Sequence, residues 1–235
     1  MKDWKILVKE GVSALRQEDE EINRLIAPRI EDFFPLLERY IAELFFFNPA
    51  YGLVGTNNPE ELIIKHILDS LAPLGIISRL LAETAGEQTP VQIADAGSGA
   101  GLPGIPLAIA LPNCNFTLIE RMGRRTGFLL HTKAVLGLSN ITIEESELEQ
   151  MSGGPFALVT FRAFKPLEPK LLATLFNSCA QGGVIAAYKG KREKIEQEMK
   201  PLEKLCGKWE ALPCRVPFLN EKRHLLVIKP PEKPA

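Results

Sequence analysis

The sequence predicts an α/β fold in which a mainly parallel β-sheet follows a helical N-terminal region. Short apolar runs alternate with helical patterns after residue 90, and a glycine-rich turn at residues 97–104 separates the first run from the first helix. Strands that alternate with helices are typical of β-α-β units, whose strands pair in parallel. A chain of 235 residues with 46% hydrophobic content can bury such a core without disulfides or metal.

The N-terminal region, residues 1–89, is predicted to be a helical extension. Apolar side chains recur at helical spacing over residues 30–45 with charged residues on the opposite face, and a shorter amphipathic pattern covers residues 4–15. Asn-Asn-Pro at residues 57–59 is a helix-start signal, so a further helix is expected over residues 60–71.

A second domain is predicted at residues 90–235, after a polar segment that ends in a proline. Its strands are expected at residues 91–94, 116–119, 141–143, 156–161, 184–188 and 224–229. Its helices are expected at residues 105–110, 124–136, 167–179 and 191–205. Pro213 is expected to lie in a turn and Cys214 to be a core cysteine.

The charge of the chain is unevenly distributed. The formal net charge is −1, yet residues 186–235 carry twelve Lys or Arg against seven Asp or Glu, a local balance of +5. The overall value argues against a histone-like polycation, while the basic C-terminal part is compatible with a polyanionic partner.

Several classes of protein are excluded by the sequence patterns. The four cysteines form no Cys-x-x-Cys pair and have no histidine nearby, so neither a metal site nor a disulfide framework is expected. The longest uncharged run, residues 96–119, contains four glycines and three prolines, which suit loops and turns better than a membrane helix. The N-terminus has no apolar secretory segment, so a soluble cytoplasmic protein without membrane partners is expected.

The sharpest motif is Asp-Ala-Gly-Ser-Gly-Ala-Gly at residues 95–101, between the first predicted strand of the sheet and a helix. Glycines in such a turn allow a ligand to approach the backbone closely, and the helix start presents amide donors. The glycines fit two patterns. Gly99, Gly101 and Gly104 fit the dinucleotide pattern G-x-G-x-x-G, and Glu120 follows at the distance of a ribose-binding acid.

The second pattern is the D-x-G-x-G-x-G turn of S-adenosylmethionine-dependent methyltransferases, formed by Asp95, Gly97, Gly99 and Gly101. In this pattern Glu120 again binds the ribose. A carboxylate at Asp95 would repel a pyrophosphate, whereas it suits the methionine end and the sulfonium of the methyl donor. The residues therefore favour S-adenosylmethionine, with NAD as the alternative ligand.

Beyond this turn, the chain resembles the bacterial guanine-N7 methyltransferases of small-subunit ribosomal RNA, the glucose-inhibited division protein B family. The resemblance runs from about residue 48 to residue 229 and rests mainly on two motifs, His-Ile-Leu-Asp-Ser-Leu at 66–71 and Gly-Leu-Pro-Gly-Ile-Pro at 101–106. Further matching segments are residues 120–125, 128–129, 161–164, 188–190 and 223–228.

The resemblance implies a class I S-adenosylmethionine-dependent methyltransferase fold, Rossmann-like, with a mostly parallel seven-stranded sheet and a helical N-terminal extension. It also implies methyl transfer to N7 of a guanine in 16S rRNA near the decoding site, in the small ribosomal subunit or an assembly intermediate. By motif position, the donor site would include Gly97, Leu102, Glu120, Arg121, Met122, Leu148, Glu149 and Arg162.

The absence of two sequence motifs agrees with N7 of guanine as the acceptor atom. The N7 lone pair carries no proton, so catalysis requires placement rather than a general base. No Asp/Asn-Pro-Pro-Tyr motif, typical of exocyclic-amine methylation, and no Pro-Cys, typical of carbon methylation, follow the strand that ends at Arg162.

Basic and aromatic residues near predicted strand ends are the candidates for catalysis and RNA binding. Arg162 is the predicted catalytic residue, through contact with the donor carboxylate or a target phosphate. RNA-binding candidates are Arg124, Arg125, Lys189 and Arg223. Phe161 and Phe164 are candidates for stacking on the target base, and His66 and Asp69 either pair with each other or serve the active site.

Three function classes remain open on the residues themselves. The first is a ribosomal RNA methyltransferase. The second is an NAD(P)-dependent oxidoreductase, which requires a catalytic Tyr-Lys, Ser or His constellation that the sequence does not display. The third is a non-catalytic RNA or nucleotide binder built on the same fold.

Overall fold

The N-terminal part of the chain is a set of helices, as the sequence predicts. The computed structural model describes residues 3–84, 90–151, 153–163 and 165–231. The helices are α1 (Trp4–Glu18), α2 (Glu20–Ile26), α3 (Ile30–Tyr51), α4 (Pro59–Leu62), α5 (Asp69–Leu71) and α6 (Leu74–Thr84). The segment Ile63–Leu68 between α4 and α5 is π-helical. Asn58 caps α4 by accepting from the amides of Glu60 and Glu61, so the helix start predicted at Asn-Asn-Pro is confirmed.

The described residues after 90 form one seven-stranded sheet with the strand order β3-β2-β1-β4-β5-β7-β6. Its strands are β1 (Val91–Ala96), β2 (Cys114–Ile119), β3 (Ile141–Glu144), β4 (Phe156–Arg162), β5 (Cys179–Lys189), β6 (Lys208–Cys214) and β7 (Arg223–Lys229). The helices between them are α7 (Gly104–Ala110), α8 (Gly123–Leu136), α9 (Pro169–Ser178) and α10 (Arg192–Met199). The predicted mostly parallel seven-stranded sheet, preceded by N-terminal helices, is therefore confirmed.

Strands β1 to β5 pair in parallel, so their carboxyl ends meet at one edge of the sheet, which we call the carboxyl edge. In the sheet, β1 lies between β2 on one side and β4 on the other, so the strand order reverses at β1. Ligands of open α/β sheets bind outside the carboxyl ends where the strand order reverses in this way. The glycine turn follows β1 and therefore lies at this position.

The strand β6 is missed by the sequence patterns, and the turn predicted at Pro213 is wrong, because Pro213 and Cys214 end this strand. Cys214 packs half-buried against the apolar core, as predicted. The strand pairs with β7 alone, antiparallel, and forms one edge of the sheet. Only Ala211 of this strand is buried, so the apolar run that marks a central strand is absent. Proline is tolerated because an edge strand has one side without ladder hydrogen bonds.

Two apolar clusters cover the two faces of the sheet. The first joins the N-terminal helices, α7 and α8 to one face, through residues such as Tyr40, Leu44 and Ile93. The second packs α9 and α10 on the other face.

The predicted domain boundary at residue 89 cannot be located in the structure, because residues 85–89 lie outside the described residues. Within the described chain, no helix has the length and apolar character needed to cross a membrane.

Candidate functional site

The backbone of the glycine turn explains its composition. Gly97, Gly99 and Gly101 have φ angles of 71°, 57° and 87°, a left-handed conformation that side chains disfavour. The amides of Gly97 and Ser98 donate to the carbonyl of Ile119 at 2.9 and 3.0 Å. The end of β2 therefore fixes the turn in place.

Glu120 is bound to this turn from the tip of β2. Its Oε2 accepts from the amide of Gly99 at 2.9 Å, and its Oε1 accepts from the amide of Met122 at 2.9 Å. A Cβ at Gly99 would meet the carbonyl oxygen of Gly97 only at 3.9 Å and a guanidinium nitrogen of Arg125 at 4.0 Å. The turn is therefore open beside the Glu120 carboxylate, which leaves room for a ligand with hydroxyl groups.

Asp95 lies beneath the turn rather than on its open side. Its side chain is completely buried, and its Oδ2 accepts from the amide of Gly104 at 3.0 Å. Its Oδ1 has no hydrogen-bond partner among the described residues. Burial raises the pKa of this carboxyl to about 6. The side chain thus caps the start of α7, and the donor contact expected of it remains a prediction.

Tyr40 connects the N-terminal helices to the turn, a contact that sequence reasoning misses. Its hydroxyl, at the end of a buried ring in α3, donates to the carbonyl of Ala100 at 2.8 Å. Position 40 fits the apolar face of α3, so the pattern indicates core packing but not the hydrogen bond.

The remaining predicted donor residues lie in two places. Leu102 is buried within the turn, while Arg121 and Met122 are exposed beside Glu120. Leu148, which is buried, and Glu149, which is exposed, line a separate cavity of about 410 Å³ that also touches Pro155 and Ser178. Whether these residues bind the donor remains a prediction.

A larger cavity of about 650 Å³ lies at the carboxyl ends of β4 and β5, between the π-helical segment and the start of β7. We call it the β4–β5 cavity. The charged and polar side chains that line it include Lys65, His66, Asp69, Arg162, Lys189, Glu198, Arg223 and His224. Its size is within the range of small-molecule sites.

Arg162 is held by the π-helical segment at the end of β4. Its Nη1 donates to the carbonyl oxygen of Lys65 at 3.1 Å and to Oδ2 of Asp69 at 3.2 Å. Its Nη2 lies 3.1 Å from Nδ1 of His66. Because a guanidinium only donates, Nδ1 of His66 must be the acceptor. Burial, together with the adjacent Arg162, lowers the pKa of this histidine to about 4, so the ring is neutral.

Asp69 connects Arg162 to Arg223. Its Oδ1 accepts from Nε of Arg223 at 3.1 Å, while Oδ2 accepts from Arg162. Burial raises the pKa of the Asp69 carboxyl, and the two guanidiniums oppose that rise. The side chains of His66 and Asp69 both contact Arg162 and line the cavity, and their predicted role in the active site stays a prediction.

Lys189 is held on the opposite wall. Its Nζ lies 2.7 Å from a carboxylate oxygen of Glu198 and 5.8 Å from the centre of the Phe161 ring. Glu198 also accepts from the amide of Leu167 at 2.8 Å. Sequence reasoning misses Glu198, because it lies on a helix that is polar almost all round. Phe161 is buried, and Phe164 lies outside the described residues.

Arg124 and Arg125 diverge at the start of α8. Arg125 lies 3.8 Å from Oε2 of Glu120, so it adjoins the glycine turn. Arg124 is exposed, and its guanidinium lies over the ring of Tyr51 at 5.8 Å. Their predicted role in RNA binding is not tested by these contacts.

Comparisons with known proteins identify the family. The family model GidB, described as rRNA small subunit methyltransferase G, matches residues 34–226. The protein named ribosomal RNA small subunit methyltransferase G from Treponema denticola is 39% identical in an alignment of length 218. The alignment covers 83% of this chain and 86% of that protein. The protein of the same name from Klebsiella pneumoniae is 34% identical over 229 residues, 96% of each chain.

Solved structures agree on the fold at low sequence identity. A putative S-adenosylmethionine-dependent methyltransferase from Methanococcus maripaludis has a TM-score of 0.54 at 15% identity, over 74% of this chain and 91% of that chain. A tRNA (m1A58) methyltransferase from Aquifex aeolicus has a TM-score of 0.54 at 11% identity, over 71% and 69%. Together with the family match, these findings show that the chain belongs to the GidB family, the S-adenosylmethionine-dependent methyltransferases of small-subunit rRNA.

Proposed function

We propose that this enzyme transfers the methyl group of S-adenosylmethionine to N7 of a guanine in 16S rRNA. The observation that carries the proposal is the set of hydrogen bonds and ion pairs made by the side chains that line the β4–β5 cavity. Of the described side chains there that are able to take up a proton, His66, Asp69 and Glu198 are engaged by other groups of the protein. His224 donates from Nδ1 to the carbonyl of Gly190 at the rim. The cavity therefore favours an acceptor atom that needs no deprotonation.

His66, Asp69 and Glu198 are the groups most suited to act as a base, and each is occupied. Nδ1 of His66 accepts from Arg162, and the pKa of about 4 makes this histidine a weak base. Asp69 is bound by two guanidiniums. Glu198 is bound by Lys189 and by the amide of Leu167.

Guanine N7 fits such a cavity because its lone pair lies in the ring plane and carries no proton. Methylation there requires in-line placement of N7 against the donor, together with tolerance of the positive charge that forms on the purine. Exocyclic amines lose a proton on methylation, and ring carbons require a nucleophile. From the last residue of β4 the sequence reads Arg-Ala-Phe-Lys, which carries neither the amine-type nor the cysteine-type motif.

The glycine turn and Glu120 fit the methyl donor. We assign Gly97, Gly99 and Leu102 to the wall of the donor site, and Glu120 to the ribose hydroxyls. Bound S-adenosylmethionine supplies the electrophilic methyl group. The open space at Gly99, whose amide is bound to the buried Glu120 carboxylate, supports this assignment. We also assign Asp95, Arg121, Met122, Leu148 and Glu149 to the donor side by motif position.

Arg162 is assigned to orient an anion, which is either the donor carboxylate or a phosphate of the target nucleotide. One N–H of its Nη2 points to His66, and the second has no hydrogen bond to the described residues. A guanidinium held by three protein groups is preorganised, so it binds an anion without losing much side-chain freedom. Lys189 and Arg223 line the same cavity and extend its positive charge.

The test is methyl transfer from labelled S-adenosylmethionine to small ribosomal subunits, to assembly intermediates and to naked 16S rRNA, all from cells that lack the enzyme. We expect one 7-methylguanine, located by chemical cleavage specific for that base. In the cell, we expect the substrate particles to be cytoplasmic. Titration calorimetry with S-adenosylmethionine and NAD checks the donor. Label on an exocyclic amine or on protein, or binding of NAD alone, would contradict the proposal.

A further inference from the structure

A patch of aromatic side chains lies on the outside of the protein, away from the β4–β5 cavity. Phe46, Phe47 and Tyr51 follow one another near the end of α3, and Arg124 joins them from the start of α8. We call these four residues the α3–α8 surface. The side chain of Phe46 is 77% exposed and that of Tyr51 is 36% exposed. Most large apolar side chains of α3 are buried or half-buried, so these rings depart from the pattern of their own helix.

The rings are held in a defined arrangement. The Phe47 ring is central, with its centroid 5.1 Å from that of Phe46 and 5.3 Å from that of Tyr51. Behind it, Phe47 contacts the buried Phe128 ring at 5.7 Å and the His131 ring at 5.0 Å. Phe47 therefore supports both outer rings from below; Phe46 presents its free side to solvent, and Tyr51 is partly exposed beside Arg124.

The charge on this surface favours an anionic partner. The guanidinium of Arg124 lies 5.8 Å from the centre of the Tyr51 ring and forms no ion pair with the described residues. It occupies the first turn of α8, which has no acidic residue and no side-chain cap. A cation there is opposed by the helix dipole, and a bound anion removes that penalty. The carboxylate of Glu43 below the rings is hydrogen-bonded to Nε2 of His131 at 2.8 Å.

The α3–α8 surface is continuous with the proposed donor site. Arg124 follows the Glu120–Met122 corner in the chain, and the adjacent Arg125 lies 3.8 Å from Glu120. Met122, which lies between Glu120 and Arg124 in the chain, is 47% exposed. A strand of nucleic acid whose target base enters the carboxyl edge would thus have this surface beside its path.

We propose that the α3–α8 surface holds single-stranded rRNA next to the target guanine, with bases stacked on Phe46 and Tyr51 and a phosphate bound to Arg124. The inference rests on the proposed function. Aromatic rings combined with a free arginine are the features with which proteins bind single strands. A protein partner would use the apolar rings equally well, but it would not require a guanidinium at a helix start.

The test is the affinity of the full chain for small subunits and for a 16S rRNA fragment that contains the target guanine, measured without methyl transfer. We expect Tyr51→Ala and Phe46→Ala each to weaken binding to both by about tenfold, because one stacked base is lost. Arg124→Gln is expected to weaken binding less and to reduce the dependence of log Kd on log salt by about one unit.

Matched variants separate loss of stacking from loss of structure. Tyr51→Phe retains the ring and should bind RNA within about twofold of the wild type. Leu205→Ala removes an exposed apolar side chain outside the α3–α8 surface and should not change RNA affinity. The affinity for S-adenosylmethionine should be the same in all of these variants.

Unchanged RNA affinity in the Phe46→Ala/Tyr51→Ala double variant would overturn the proposal. A double variant that binds the RNA fragment normally but loses affinity for the subunit would also overturn it, because the partner would then be a ribosomal protein. These outcomes are independent of the N7 assignment. That assignment fails only if mapping of the wild-type product shows a different methylated atom.

Discussion

The glycine turn after β1 and the ion-pair cluster around Arg162 lie at the same edge of one sheet, but they are built in different ways. The turn is mostly local: residues 95–104 and 119–120 supply it through hydrogen bonds of backbone amides to carbonyls and carboxylates, and Tyr40 adds one side-chain hydrogen bond from α3. The cluster is assembled from the π-helical segment, the end of β4 and the start of β7, and its contacts are between side chains.

The difference predicts two kinds of sensitivity. In the turn, the conformation depends on glycines, so an added side chain should remove ligand binding. In the cluster, buried charges depend on one another, so removal of a side chain should lower the free energy of unfolding. The following changes test this contrast, from the largest expected effect to the smallest.

Gly97→Val should abolish donor binding, with a loss of at least about a hundredfold in affinity, or roughly 2.7 kcal/mol. The residue has a φ of 71°, which valine adopts only with strain, so the turn that forms the wall of the proposed donor site would change its conformation. The measurement is titration calorimetry with S-adenosylmethionine.

Gly137→Val is the matched control for this variant. Gly137 has a φ of 67° at the end of α8, and a Cβ there meets nothing within 4 Å. Both variants should lose a similar amount of free energy of unfolding, about 1–3 kcal/mol, while the Gly137 variant retains donor affinity. Equal donor affinity in the two variants would show that the turn is not the donor site.

Asp69→Ala should reduce the free energy of unfolding by about 3–5 kcal/mol, because it leaves Arg162 and Arg223 without their shared carboxylate. Asp69→Asn retains an acceptor and should lose less. Urea unfolding measures both, and donor affinity should fall less than in Gly97→Val.

The control for this cluster is Glu18→Ala, which breaks an ion pair with Arg215, whose side chain is 81% exposed. An exposed pair contributes little, so the change should be below about 1 kcal/mol. If Asp69→Ala is no more destabilising than Glu18→Ala, the cluster is not a coupled buried network.

Asp95→Asn should make the protein more stable at neutral pH. Burial raises the pKa of Asp95 from 3.8 to about 6, so the folded state retains a proton that the unfolded chain releases. The free energy of unfolding therefore falls as pH rises from about 4 to 6, by as much as about 3 kcal/mol from this group. The asparagine variant lacks this contribution.

The measurement for Asp95 is the difference in free energy of unfolding between variant and wild type at several pH values. The difference should increase from pH 4 to pH 6 and then stay constant. Contributions from other groups, including His66 with its pKa of about 4, cancel in the difference. Parallel curves for the two proteins would be inconsistent with a raised pKa at Asp95.

Local features of the fold were predictable from the sequence. Apolar periodicity predicts the helices α1, α3 and α8, and short apolar runs predict strands β1 to β5 and β7, since both signals depend on neighbouring residues. β6 is missed because an edge strand buries only one side chain. The dinucleotide and methyl-donor patterns share Gly99 and Gly101, and family membership decides between them.

The site was predictable in part. Arg162 and Arg223 are arginines at strand ends, so their position at the carboxyl edge follows from the topology. Their partners do not follow, because Asp69 lies 93 residues from Arg162 and 154 residues from Arg223 in the chain. Glu198 is likewise one of several acidic residues on α10, and only the packing of that helix selects it.

The π-helical segment changes how this part of the chain responds to a deletion. An α-helix rotates by about 100° per residue, and a π-helical turn takes in one additional residue before the helix continues. The wide turn absorbs that residue, so that Ile63, Ile67 and Leu71 still enter the core while Lys65, His66 and Asp69 line the β4–β5 cavity. Deleting one residue between 63 and 68 would therefore convert the segment to an α-helix and leave Asp69 facing Arg162, whereas one residue deleted from an ordinary α-helical turn would rotate every later side chain by about 100°.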